Sequence, residues 1–287
     1  MLVFGDSTVD PGNNNRLQTA AKANFLPYGV SFYGGMPTGR FSNGRLVTDI
    51  LAEKLGIGGS IPGFLDPKLK PGQLVTGVSF ASAGSGYDDA TAKRSVAGPR
   101  RAEQLVRKAT FFISAGTTDL LFHYLPSNLP AQDCQQHCYE DQLIARVANY
   151  TQEMRKLGGR RFIFVGLPPI GCLPIVRTLL GTGPDKCHGN MNLLAASFNE
   201  KLLKLVQLLK NEPDTRAAFI DIYTIITKAT TEPNDLGTIE VGQTCRGWKT
   251  CADPSEYLYW DAVHQTDRMN QIITDDAIMN SIGEIYI

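Results

Sequence analysis

The sequence lacks any long apolar run. Its most hydrophobic stretches, such as residues 162–167, fall far short of the ~18 residues that a membrane-spanning helix needs, so no membrane span is expected. It also lacks an excess of either charge, with 28 Lys+Arg against 28 Asp+Glu in 287 residues. That balance argues against a nucleic-acid partner, because nucleic-acid binders carry a basic face or stripe. Several motifs are missing too. There is no G-x-x-x-x-G-K-[ST] phosphate loop and no G-x-G-x-x-G after a strand, which disfavours the common nucleotide-binding folds. Gly56-Ile57-Gly58-Gly59 follows a helical stretch and reads as a helix stop. No H-E-x-x-H occurs, and no histidine stands at zinc-finger spacing from a cysteine pair, so neither a metal nor an organic cofactor is expected. No G-x-S-x-G elbow occurs, which disfavours a standard α/β-hydrolase. A leader pattern is absent as well, since Met1-Leu2-Val3-Phe4 runs at once into Gly5-Asp6-Ser7. Either the protein is cytosolic, or a signal peptide lies outside this numbering.

What is present is ordinary globular composition, 43% hydrophobic and 20% charged, enough to build a sizeable core. The length allows one large domain or two small ones. No linker and no internal repeat is visible, so residues 1–287 read as one domain, and neutral charge fits a monomer. The cysteines number six, at 134, 138, 172, 187, 245 and 251. The most local pairing is 134/138, 172/187 and 245/251, one of about 15 connectivities that six cysteines allow. Asn149-Tyr150-Thr151 is a glycosylation sequon. An even cysteine count and a sequon together favour a secreted, disulfide-bonded protein over a cytosolic one.

The pattern alternates apolar runs with amphipathic stretches, which predicts an α/β fold with a parallel sheet. Five runs read as buried strands: residues 2–5, 75–81, 111–115, 161–166 and 217–222. Helices are expected over 46–55, 143–157, 191–209 and 267–282. The Gly/Pro-rich stretches 56–72 and 168–184 read as surface loops. Ser7 follows the first strand, Gly84 the second and Thr118 the third. Open α/β sheets bind ligands at the carboxyl ends of their strands, so these three segments point to one site.

Of four histidines, His264 stands in Trp260-Asp261-Ala262-Val263-His264, just before the last predicted helix. A carboxylate three residues ahead of a histidine can orient the ring and fix its tautomer, which supplies two thirds of a hydrolytic triad. The plainer alternative is a surface histidine beside a surface aspartate. Ser7 could supply the nucleophile, with backbone N–H groups of its turn facing an oxyanion; taken alone, it reads more readily as an ordinary helix N-cap.

Taken together, the two ends of the chain resemble the GDSL esterase/lipase family, within the SGNH hydrolases. Phe4-Gly5-Asp6-Ser7 with Asp10-x-Gly12-Asn13-Asn14-Asn15 is similar to the plant-type first block. Pro37-Thr38-Gly39-Arg40-Phe41-Ser42-Asn43-Gly44-Arg45 resembles the next plant landmark, and Gly77-Val78-Ser79-Phe80-Ala81-Ser82-Ala83-Gly84 the second block. Phe112-Ile113-Ser114-Ala115-Gly116-Thr117-Thr118-Asp119 resembles the third block. Gly166-Leu167-Pro168-Pro169-Ile170-Gly171-Cys172-Leu173-Pro174 is a further plant-type signature. The resemblance covers nearly the whole chain. It implies a flavodoxin-like three-layer α/β/α fold on a five-stranded parallel sheet, and ester hydrolysis or acyl transfer through an acyl-enzyme. By motif position Ser7 would be the nucleophile, His264 the general base and Asp261 its orienting carboxylate. The backbone N–H groups of Ser7 and Gly84 and the side chain of Thr118 would form the oxyanion hole.

Three positions depart from the family pattern. Thr118 stands where the third block has asparagine, and a hydroxyl donates from a shorter arm than an amide. Ser79 replaces the usual asparagine before Phe-Ala-Ser and is expected to be structural. Gln265 replaces the proline after the histidine. Residues 89–101 and 234–241 are shorter than the resemblance implies. Arg40, His123 and Trp260 are candidate substrate contacts. Each also has a plainer reading: an ion pair for Arg40, a surface position for His123, packing under the loop for Trp260. The expectation is a secreted or cell-wall serine ester hydrolase, acting on acetylated polysaccharide such as xylan. The alternatives are an acyltransferase, a lipid or phenolic-ester esterase on the same triad, and a catalytically weakened carbohydrate-binding protein.

Overall fold

The structure is a computed structural model that describes residues 1–89, 103–125, 138–183, 186–236, 240–247 and 249–286. Five parallel strands form the central sheet: β1 (Leu2–Gly5), β2 (Val78–Ser79), β3 (Thr110–Ser114), β4 (Arg161–Val165) and β5 (Arg216–Ile220). Their order is β2-β1-β3-β4-β5, the flavodoxin-like arrangement with its reversal of strand order between β1 and β3. These strands are apolar runs because a parallel sheet is buried on both faces. Val3, Phe112, Ile163 and Phe164 have no measurable exposure or next to none.

Alternation along each strand sends neighbouring side chains to opposite faces. On one face Phe112 and Ser114 line a common cleft with Val47, Asn270 and Ile273, from the helices Val47–Lys54 and Asp267–Asn280, which pack on each other. On the other face Phe4 and Ile113 line a common cavity with Val147 and Met154 of the helix Cys138–Lys156, which packs against Gly189–Lys210. The result is the expected three-layer α/β/α fold. The stripe Met191, Leu194, Ala195, Phe198, Leu202 and Val206 of the long helix joins the core. A separate small core gathers Ala23, Tyr28, Phe41, Ala83, Cys245 and Trp260. Above it a short second sheet pairs β6 (Glu240–Thr244) with β7 (Tyr257–Tyr259).

Two strands differ from expectation by more than one residue at an end, each for a local reason. The second strand keeps only Val78–Ser79, because Pro71–Val75 winds into a 3-10 turn that begins with proline. The fifth ends at Ile220, because the Asp221 side chain accepts from the Thr224 N–H and caps the helix Ile222–Thr231. The disulfides Cys172–Cys187 and Cys245–Cys251 are formed. Cys134, and with it the 134/138 pairing, and most of the short stretch 89–101 lie outside the described residues.

The segment after β1 braces the segment after β2. Asp10 is buried and accepts from the N–H groups of Gly12, Asn13, Asn14 and Ala83. Asn13 donates to the carbonyls of Ser79 and Ala81 and accepts from Leu65 N–H. Asn14 donates to the carbonyls of Ala21 and Ala83 and accepts from Ser82 Oγ and Ala83 N–H. Ser79 is tied in as well, its hydroxyl donating to the Val9 carbonyl. Each carboxamide satisfies buried backbone groups that would otherwise cost about 1–3 kcal/mol apiece. Asn14→Ala is therefore expected to lower unfolding free energy by about 2–4 kcal/mol, measured by urea denaturation. A loss within about 0.5 kcal/mol, the range of an ordinary surface substitution, would show the brace to be dispensable.

Candidate active site

The end of β1 explains why Ser7 stands where it does. Gly5 passes so close to β3 that a Cβ there would lie 2.0 Å from the Ser114 carbonyl oxygen, so no side chain fits. Asp6 then caps the 3-10 turn Ser7–Val9, its carboxylate accepting from Thr8 N–H at 3.0 Å and Thr8 Oγ1 at 2.7 Å. Burial pushes the Asp6 pKa up to about 6, against the pull of these bonds and of His264. With Asp6 turned inward, Ser7 is half-buried at the head of the strand.

The carboxy-terminal loop meets it there. Trp260 N–H donates to the His264 carbonyl at 2.8 Å, which closes a tight loop between β7 and the last helix. His264 Nε2 lies 2.6 Å from Ser7 Oγ. His264 Nδ1 lies 2.8 and 2.9 Å from the two oxygens of Asp261. Asp261 Oδ1 also accepts from the N–H groups of Val263 and His264, at 2.9 and 2.8 Å. Oδ2 accepts from the Tyr28 hydroxyl at 2.8 Å. The Phe41 ring packs against the imidazole with centroids 5.1 Å apart. Asp261 and His264 are each 8% exposed.

Burial works against the Asp261 carboxylate, but His264 and the N–H donors outweigh it and hold its pKa at about 2. Burial likewise disfavours the His264 imidazolium, but Asp261, its hydrogen bond and the more distant Asp6 raise the pKa above the ordinary 6.5. The arrangement is a hydroxyl, an imidazole and an ionised carboxylate in one line. It can move a proton from Ser7 to His264 and stabilise the cation that results.

The other expected site residues fall into two groups. Gly84, φ +85°, lies in the turn after β2, where Ser82 N–H and Ser85 Oγ both bond to the Gly5 carbonyl and draw the turn against the serine segment. Neither Ser7 N–H nor Gly84 N–H donates to any group among the described residues. Thr118 is 9% exposed in the first turn of the helix Thr117–Tyr124, and no hydrogen bond engages its hydroxyl among the described residues. Asp119, beside it, accepts from the N–H groups of Tyr87 and Asp88 and ties the Gly84 turn to this helix.

Arg40 and Trp260, by contrast, are not open to a ligand. Arg40 is 5% exposed and grips Asp49 with two bonds of 2.7 and 2.9 Å, its remaining N–H groups reaching Pro11 O, Thr38 Oγ1 and Ile61 O. A guanidinium with these donors committed has none to offer a substrate. Trp260 is fully buried and packs edge-on against Tyr28. His123 is exposed, its ring stacked on Tyr139 with centroids 3.9 Å apart. Asn149 is exposed on the helix Cys138–Lys156. Reasoning from the sequence missed Tyr28, Phe41 and Asp119. The last two lie inside quoted motifs, but no local pattern marks Tyr28.

The family model described as GDSL-like lipase/acylhydrolase matches residues 1–277. A GDSL esterase/lipase of Arabidopsis thaliana is 38% identical over 320 residues, covering 100% of this chain and 88% of the relative. A second from the same plant is 36% identical, covering 96% of this chain and 89% of the relative. Solved structures are more remote. The lipase Lip_vut3 from a goat rumen metagenome shares 15% identity at a TM-score of 0.49, covering 97% of this chain and 95% of that one.

If neutral His264 is the base, activity must fall as pH drops through its raised pKa. The acid limb of kcat/KM is therefore expected above pH 6.5. In Asp261→Asn the carboxylate that raises the pKa is gone while burial remains, so the limb should move below its wild-type position. Turnover should drop by up to about 10⁴-fold. A pH–rate profile of both proteins checks this, and an unmoved limb would separate Asp261 from the titration.

Proposed function

The chain belongs to the GDSL-like lipase/acylhydrolase family and is a carboxylic-ester hydrolase; from that premise we propose that Ser7, His264 and Asp261 form its catalytic triad. The observation that carries this reading is the contact of 2.6 Å between Ser7 Oγ and His264 Nε2, with Nδ1 held by an ionised Asp261. His264 takes the hydroxyl proton as Ser7 Oγ attacks the ester carbonyl. The carbonyl oxygen gathers negative charge in the tetrahedral intermediate, where preorganised donors stabilise it. Those donors are the N–H groups of Ser7 and Gly84 and the Thr118 hydroxyl. As the intermediate collapses, His264 returns the proton to the leaving alcohol, and an acyl-Ser7 enzyme remains. Water, activated by the same imidazole, releases the acid and regenerates Ser7.

One domain spanning residues 1–287 carries this chemistry, in keeping with a family match that runs to residue 277. The protein is secreted, to the extracellular space or the cell wall. The disulfides Cys172–Cys187 and Cys245–Cys251 and the exposed Asn149 side chain of the sequon support that reading. Its substrate is a polar acylated polymer such as acetylated xylan. Two features favour this over a lipid: the modest hydrophobic content of the chain, 43%, and the apolar stripe of Gly189–Lys210, which faces the core. The aligned serine, imidazole and carboxylate speak against a binding protein that has lost catalysis.

The test compares wild type, Ser7→Ala and Thr118→Ala on a short-chain aryl acetate, a long-chain aryl ester and acetylated xylan. Wild type is expected to be most active on acetylated xylan, and Ser7→Ala to be inert on all three. Thr118→Ala should lose about 100-fold or more in turnover, the size of loss expected on removing one oxyanion donor. If wild type and Ser7→Ala are equally inert, simple hydrolysis is not the reaction, and acyl transfer moves ahead. Unchanged turnover in Thr118→Ala removes that side chain from the oxyanion hole.

A further inference from the structure

We infer that Tyr28 is a positioning residue for the reaction, acting through Asp261; the inference rests on the triad reading above. The two carboxylate oxygens of Asp261 are served unequally. Oδ1 receives two backbone N–H groups of its own loop in addition to the imidazole. Oδ2 receives the imidazole and the Tyr28 hydroxyl, and no other donor among the described residues. Among the described residues Tyr28 is thus the one partner of the carboxylate that comes from outside its own loop, across 233 positions of sequence.

The phenol is locked on every side. Its ring packs edge-on against Phe25, Phe41 and Trp260, at centroid distances of 5.3, 6.0 and 6.3 Å. The Arg246 guanidinium lies over the ring, 4.6 Å from its centroid. The Arg246 backbone is held in turn, its main-chain N–H donating to the Trp260 carbonyl at 2.7 Å beside the Cys245–Cys251 disulfide. A cation over the ring makes the hydroxyl a stronger donor. Burial and the charge of Asp261 push the phenol's pKa upward, so it stays protonated and donates throughout the working range.

The arrangement has a chemical consequence. A donor to Oδ2 fixes the plane of the carboxylate and takes up part of its charge. Without the donor, the carboxylate is freer to turn, and it favours the imidazolium more strongly. His264 then titrates at higher pH and is a poorer base near neutrality. The groups facing His264 are Asp261, Ser7, Phe41 and, through its charge, Asp6. Those facing Tyr28 are Asp261, Arg246, Phe25, Phe41 and Trp260. Apart from the phenol hydroxyl, all of them remain when Tyr28 becomes phenylalanine.

Tyr28→Phe keeps the packing and deletes only the donor, so it separates positioning from core filling. Steady-state kinetics on an aryl acetate, run across pH for wild type, Tyr28→Phe and Ser7→Ala, is the experiment, with thermal unfolding as the check on folding. In Tyr28→Phe we expect kcat to fall about 10-fold or more, as for a lost bond to a charged group. KM should stay within about twofold, and the acid limb should move to higher pH. A wild-type profile in Tyr28→Phe, or a loss of kcat with the limb unmoved, overturns the inference. If Tyr28→Phe does not fold, Arg246→Leu, which keeps the phenol but removes the cation above it, must move the limb in the same direction by a smaller amount, and an unmoved limb there overturns it equally. Ser7→Ala tells the two readings apart. If it keeps wild-type activity, the triad itself fails. If it is inert while Tyr28→Phe behaves as wild type, only the role of Tyr28 is lost.

Discussion

A carboxylate that gives up water stays ionised only if other donors replace it. Much of the architecture around Asp261 follows from that requirement. Its loop turns back on itself, so that the N–H groups of Val263 and His264 both reach Oδ1. The imidazole bridges both oxygens, and Tyr28 arrives from the far end of the chain to serve Oδ2. The small core of Tyr28, Phe41, Trp260 and Cys245 keeps water from the carboxylate and fixes the geometry of its donors. Burial raises the cost of the charge and, in the same step, strengthens each bond that sustains it.

The sheet solves the other half of the problem. Its strands end at one edge, and three of the turns leaving it carry Ser7, Gly84 and Thr118. Turns alone would be loose. Asp10, Asn13 and Asn14 bind the second turn to the first, and Asp119 binds the second to the third. The N–H groups of Ser7 and Gly84, which donate to no group among the described residues, are therefore held by contacts that do not consume them. That is what a preorganised oxyanion site requires.

The legible parts of the fold and site are those governed by short-range pattern. Strands buried on both faces appear as apolar runs, so β1, β3 and β4 could be read almost to the residue. The limits of β2 and β5 depend on a proline-led turn and on the Asp221 cap, which compete with an apolar run that continues past them. Asp261 and His264 were visible as a local pair, and Ser7 through its Gly-Asp-Ser turn. Arg40 and Trp260 were ambiguous because pattern does not distinguish a guanidinium or an indole facing a ligand from one facing the interior. For Arg40 the answer lay in Asp49, on the buried side of the helix Val47–Lys54. Tyr28 left no trace in the sequence. Its role comes from a tertiary contact between the two ends of the chain, which no spacing rule covers.

The most direct test of the central claim is covalent labelling with a fluorophosphonate at mildly alkaline pH, read by peptide mass spectrometry in wild type and His264→Ala. If Ser7 is a nucleophile activated by His264, the adduct appears on the Ser7 peptide of the wild type and is nearly absent from the variant. An adduct on another serine, or equal labelling of Ser7 in both proteins, would contradict the account.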